Sequence, residues 1–139
     1  LGIAVGKTEN GLYEYYGSRS AETVIIAMGS VVGTIKDVVD QNKKVGVLKI
    51  KCFNPFPYQE IAKTLSPFKK IAVLEKAAGF GSLAPLMSRI ISTAKPNQAV
   101  KNYIAGLGGR DITKKMIKEV INDIMKTKRT DLKAKFINK

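Results

Sequence analysis

The chain has 139 residues, 45% of them hydrophobic, and carries a formal net charge of +13. That is enough for one domain with a real core, and no stretch reaches the run of about 18 apolar residues that a membrane helix needs. The absence of histidine removes the commonest general base, and the single cysteine, Cys52, excludes an internal disulfide and any multi-cysteine metal or iron–sulfur site.

One cysteine fits a reducing, cytoplasmic setting. No secretory h-region opens the sequence, and the start at Leu1 rather than Met hints at a fragment or processed form. From Lys126 to Lys139 there are six Lys or Arg against one Asp, so this stretch supplies +5 of the charge and residues 1–125 keep +8. Only four of the 24 cations are Arg. Dispersed lysine fits a solvated surface; a basic body also fits nucleic acid, an anionic cofactor or an acidic partner.

In chain order, Leu1–Asn10 has no clear pattern, and Glu9-Asn10-Gly11 is a turn signal. Leu12–Tyr16 reads as a short strand, and Glu14 makes it a half-exposed edge strand. Thr23–Met28 is apolar and β-branched throughout, as suits a strand buried on both faces. Gly29 allows a tight turn, and Ser30 is placed to cap the following helix. That helix covers Val31–Gln41, with Val31, Val32, Ile35, Val38 and Val39 on one face. Val45–Ile50 is a third strand.

Pro55 and Pro57 break Cys52–Pro57, and Pro57 suits the first turn of a short helix over Tyr58–Leu65. Lys70–Leu74 is a fourth strand, followed by the loop Glu75–Gly81. Ser82 is placed to cap a helix running to about Ala94, with Pro85 tolerated in its first turn. Val100–Ala105 is a fifth strand, and Gly106–Asp111 is a glycine-rich turn. Thr113 is placed to cap the last helix, which runs to about Met125. Asp131–Lys139 is expected to be a loose basic tail. The domain reading is therefore one α/β domain over residues 1–125 and a basic tail over 126–139. Strands alternating with helices imply a largely parallel sheet covered on both faces, in a doubly wound order.

Three turns fall at carboxyl ends of strands and open helices: Gly29-Ser30, Gly79-Phe80-Gly81 and Gly106–Gly109. Such turns serve tight strand-to-helix connections and can also seat an anion on free N–H groups. The candidate anion contacts are Gly29, Ser30, Gly79, Gly81, Gly108, Gly109 and Arg110. The spacing is neither G-x-G-x-x-G, since Asp111 takes the third place, nor a phosphate-loop motif. Arg110 beside Asp111 can fork onto a carboxylate or phosphate, or can simply steady the turn. Glu75 ends a buried strand with no histidine or second acid nearby. Lys49 and Lys51 should share a face at a strand end. Tyr13, Tyr15 and Tyr16 have only Glu14 among them, which disfavours nucleic-acid binding. Taken alone, the residues describe a doubly wound α/β domain with no self-contained active site and no metal site.

The segments TVIIAMGSVVGTIKDVVD, KVGVLKIKCFNPFPYQEI, KKIAVLEKAAGFGS and NYIAGLGGRDIT together resemble the carboxyl-terminal domain of the alpha subunit of pyruvate:ferredoxin oxidoreductase (pyruvate synthase). More distantly they resemble the C-terminal domains of transketolase and of the beta subunits of 2-oxoacid dehydrogenases. VLKIKCFNPFP and GLGGRDIT are the most specific parts, and the likeness runs from about Gly11 to Met125. It implies a three-layer α/β/α domain with a five-stranded mixed sheet in the order 1-3-2-4-5, the first strand, Leu12–Tyr16, being antiparallel. The turns Gly29-Ser30 and Glu75–Gly81 would then face one crevice.

The resemblance further implies a parent enzyme that oxidatively decarboxylates pyruvate with coenzyme A. Thiamine diphosphate with Mg²⁺ would serve the chemistry, and iron–sulfur clusters would pass electrons to ferredoxin. The family's Gly-Asp-Gly…Asn motif for the diphosphate and Mg²⁺ is absent, so no catalytic residue and no cofactor is carried over to this chain. Its expected role is structural, packing against other domains and subunits of a cytoplasmic complex, with no nucleic acid and no membrane. The candidate contacts are Asn54, Pro55, Phe56, Pro57, Phe80, Arg110, Asp111 and Ile112. Phe53, Phe56 and Phe80 would be natural anchors if exposed, and otherwise belong to the domain's own core. The alternative is a stand-alone α/β module that binds a phosphorylated ligand or coenzyme A at its glycine turns.

Overall fold

A computed structural model of the chain describes residues 3–7, 12–51, 56–76, 85–106 and 110–137. The elements in order are β1 (Ile3–Lys7), β2 (Tyr13–Ser18), β3 (Thr23–Met28), α1 (Val31–Val39), β4 (Val45–Ile50), α2 (Tyr58–Leu65), β5 (Lys70–Lys76), α3 (Pro85–Ile91), β6 (Ala99–Ala105), α4 (Lys114–Lys126) and β7 (Asp131–Phe136). They form one seven-stranded sheet in the order β1-β2-β4-β3-β5-β6-β7.

The five expected strands are present as β2-β4-β3-β5-β6, and β2 runs antiparallel to β4. The strand count is corrected from five to seven. β1 pairs antiparallel with β2, so Leu12–Tyr16 does not mark the edge of the sheet. Its sequence, IAVGK, is too short and too small-residued to show a period of two. At the other edge β7 pairs parallel with β6 through an irregular register. Residues 131–136, expected to be loose, are therefore part of the sheet.

Alternation along the strands sends side chains to two cores. Ile25, Val47, Leu74 and Tyr103 pack under α1 and α4. Val24, Ile26, Leu48, Ile71 and Val73 pack under α2 and α3. Helices thus cover both faces in three layers. The strands are apolar on both faces because both faces are covered.

A close approach fixes the register of β2 on β4. The Tyr15 ring lies over Gly46, where an added Cβ would stand 2.1 Å from the Tyr15 hydroxyl oxygen. That hydroxyl donates to the Ser18 carbonyl at 2.7 Å. Burial pushes the Tyr15 phenol up to about 12.

Charge ties β7 to the sheet. Asp123 on α4 receives Lys101 of β6 at 2.9 Å, Lys135 of β7 at 3.0 Å and the Tyr103 hydroxyl at 2.6 Å. Burial alone would raise the Asp123 carboxyl; the bonds from Lys101, Tyr103 and Lys135 outweigh it and hold it well below the usual carboxylate range. Burial, then the bond to Asp123, pushes the Tyr103 phenol well above its ordinary value.

Candidate functional site

The strand order reverses between β3 and β5: from β3 the chain moves to β4 on one side and later returns to β5 on the other. Helices leave such a switch point in opposite directions and open a crevice at the carboxyl ends of the strands. A cleft of about 920 Å³ lies there, lined by Met28, Gly29, Ser30 and Thr34 on one wall, Leu74, Glu75 and Lys76 at the floor, and Leu86 and Ile112 among the apolar residues opposite.

The starts of α1, α3 and α4 all line this cleft, and each start is built differently. Gly29 ends β3 at φ +80, with nothing within 4 Å of where a Cβ would point. Its glycine serves the backbone, not a tight contact. Ser30 makes no side-chain cap, contrary to expectation. Its backbone is already helical (φ −70, ψ −20), whereas a capping side chain needs an extended residue. Thr113 is extended and does cap α4, its hydroxyl accepting from the Met116 N–H at 3.3 Å.

Helix α3 is capped from a distance. Glu75, at the end of β5, accepts the Leu86 N–H on Oε1 and the Met87 N–H on Oε2, both at 2.9 Å. Asn102 of β6 donates to the same Oε2 at 3.1 Å and to the Val73 carbonyl at 3.0 Å. Both carboxylate oxygens of Glu75 are thus engaged in holding α3 against the sheet. A carboxylate that accepts bonds on both oxygens is held in place as an anchor.

Gly29 and Ser30 face the cleft, as do Asp111 and Ile112. Arg110 and Asp111 are exposed, and among the described residues they form no ion pair with each other. Phe56 is 7% exposed and sits in the core, its ring 4.9 Å from that of Tyr58. As core, Phe56 presents no surface to a partner. Pro57 precedes α2 and is half-buried. Cys52, Phe53, Asn54, Pro55, Gly79, Phe80, Gly81, Ser82, Gly108 and Gly109 lie outside the described residues. Lys51 pairs with Glu14 at 3.5 Å, so the strand-end lysine answers an acid on β2.

Sequence reasoning missed Thr34, Lys76 and Lys114 as lining residues. Thr34 was readable as one helical turn beyond Ser30, and Lys114 as the neighbour of a capping Thr113. Lys114 also reaches Asp37 of α1 at 3.8 Å. The cleft therefore has apolar walls, two lysines and hydroxyl groups at its rim. Among the described residues no group of three or more His, Cys, Asp or Glu could hold a metal ion.

Residues 21–117 match the family model described as pyruvate:ferredoxin oxidoreductase core domain II. This chain belongs to the core domain II family. All the cleft residues fall within the matched stretch. The pyruvate synthase subunit PorA of Methanocaldococcus jannaschii is 44% identical over 86% of this chain and 32% of its own length. The Thermotoga maritima PorA is 40% identical over 79% and 30%. The ketoisovalerate oxidoreductase subunit VorA of Pyrococcus furiosus is 38% identical over 76% and 29%. This core domain II chain spans about a third of the length of the curated relatives it matches.

Among solved structures, a 2-oxoglutarate:ferredoxin oxidoreductase from Magnetococcus marinus, with 2-oxoglutarate, coenzyme A and succinyl-CoA bound, shares the fold at a TM-score of 0.59. It is 20% identical, and the match covers 89% of this chain and 20% of that one.

Proposed function

We propose that this chain is a structural, subunit-interface domain of a thiamine-diphosphate-dependent 2-oxoacid:ferredoxin oxidoreductase, and that the 2-oxo acid is pyruvate. The family match over residues 21–117 carries this reading. The whole complex would oxidatively decarboxylate pyruvate with coenzyme A in the cytoplasm, with Mg²⁺ beside the thiamine diphosphate, and pass electrons through iron–sulfur clusters to ferredoxin.

The residues of this chain do not fit those groups. A single cysteine cannot hold a cluster, and the Gly-Asp-Gly…Asn motif for the diphosphate and Mg²⁺ is absent from the sequence. No step of the chemistry runs through this domain. Relatives named for pyruvate and for ketoisovalerate are similarly identical to it, which supports a substrate pocket built mostly elsewhere.

The contact surface in this reading is the rim beside the cleft, where Arg110 and Asp111 are exposed and Ile112 is half-buried against the core. Arg110→Glu with Asp111→Lys, both at exposed positions, should lower recovery of the assembled complex while leaving the melting temperature of the isolated chain nearly unchanged. Turnover of pyruvate by the isolated chain, or full assembly of the double variant, would sink the proposal.

The cleft favours a second reading: a phosphorylated ligand or coenzyme A seated at Gly29-Ser30, with Lys76 and Lys114 at hand. Calorimetric titration with coenzyme A, and with thiamine diphosphate plus Mg²⁺, at low and moderate salt separates the two. Saturable coenzyme A binding that survives moderate salt and weakens in Arg110→Ala supports the ligand site. Heat that fades with salt reports only the net charge.

A further inference from the structure

Among the described residues, nothing covers Leu132 and Phe136 of the edge strand β7. Leu132 is 63% exposed and Phe136 is 54% exposed, the two largest exposures among the described large hydrophobic residues. Phe136 stands beside Ile104 in register. Lys135 turns the other way, to Asp123 on the α4 side. Lys128, Arg129 and Lys133 are exposed within four residues of Leu132 along the chain, and none has an ion-pair partner among the described residues.

The sheet thus ends on an exposed apolar pair with exposed cations nearby in the chain. Lysine on an edge strand commonly serves to repel other edges. That account covers the lysines but leaves Leu132 and Phe136 in water. Nor does a second copy fit. Pairing β7 with itself would set Lys133 and Lys135 of two copies side by side, within a stretch, 126–139, that holds six Lys or Arg against one Asp. A single-stranded nucleic acid would need several stacking aromatics, and this face offers Phe136 alone.

We infer that the Leu132–Phe136 face of β7 docks an acidic polypeptide segment carrying apolar side chains. The segment's carboxylates meet Lys128, Arg129 and Lys133, and its apolar groups cover Leu132 and Phe136. The inference does not rest on the oxidoreductase reading, because β7 lies beyond matched residues 21–117.

The test uses the full isotope-labelled chain and two synthetic peptides of equal charge. Both are rich in Asp and Glu; one carries a Leu and a Phe, and the other carries Ser at those two places. The expected result is amide shifts concentrated on β7 with the first peptide and about tenfold weaker binding of the second. Leu132→Ser with Phe136→Ser should cost a similar factor, and the high exposure of both residues keeps that variant folded. Lys128→Glu with Lys133→Glu should weaken the first peptide further and flatten its loss of affinity with salt. The inference is overturned by equal binding of the two peptides, by shifts spread over the lysines at large, or by no binding. Tighter binding of an oligothymidylate that ignores the Leu132 and Phe136 substitutions overturns it equally.

Discussion

At the cleft end of the sheet, Glu75 accepts two backbone N–H groups of α3 and the amide of Asn102. At the opposite end, Asp123 accepts from Lys101, Lys135 and the Tyr103 phenol. Each carboxylate pins a peripheral element, α3 in one case and β7 in the other. The donors differ: neutral at Glu75, mostly cationic at Asp123. Neutral donors tie the anchor to local backbone geometry. Cationic donors expose it to pH, and when it is lost the poorly exposed Lys101 keeps only Asp131, at 4.0 Å.

The sharpest break of this comparison is removal of each acid. Asp123→Ala leaves Lys101 half-buried and the Tyr103 hydroxyl without its acceptor, and should lower stability by about 3 kcal/mol in urea unfolding. Glu75→Ala frees two N–H groups of α3 and should cost about 2 kcal/mol, with Glu75→Gln recovering part of it. Equal losses from both variants, or a neutral Asp123→Ala, would erase the distinction.

Acid sharpens it further. The folded-state carboxyl of Asp123 lies below its unfolded value of about 3.9, so its contribution is complete above that pH and drains away as the pH falls below it. Between pH 7 and pH 3 the urea midpoint of the parent chain should therefore fall further than that of Asp123→Asn. Smaller effects test the cleft rim. Thr113→Ala should cost about 1 kcal/mol through the lost cap of α4. Ser30→Ala, where no cap exists, should stay within about 0.5 kcal/mol. Thermal unfolding of the pair decides whether backbone angle, and not residue type, sets the value of a cap.

Much of this architecture was legible in the sequence, and the failures have physical causes. The bounds of β3 follow from an apolar run closed by Gly29, and the start of α2 follows from Pro57. The order of the five central strands came from the family resemblance; periodicity alone narrows the topology without choosing one. β7 was hidden because an edge strand must be polar enough to survive in water, so DLKAKF reads as tail charge. Ser30 and Thr113 look alike as caps in sequence, and only the backbone angles separate them. The cleft was foreseen at Gly29-Ser30 and Glu75. The partners of Glu75 were not, since they lie eleven and twelve residues away across a loop and on a neighbouring strand. The Asp123 cluster joins one helix to two strands, a meeting that only the folded sheet brings about.

The buried phenols make the chain its own optical reporter. There is no tryptophan, and five tyrosines carry the near-ultraviolet signal. The Tyr103 hydroxyl donates to the half-buried Asp123 carboxylate, and Tyr15 lies over Gly46 with its phenol shifted to about 12. Alkaline titration should therefore withhold the phenolate absorbance of Tyr15 and Tyr103 until a cooperative step, when unfolding releases both. The same step should move to lower pH in Asp123→Ala, so a spectrophotometer alone can follow how firmly the far end of the sheet is closed.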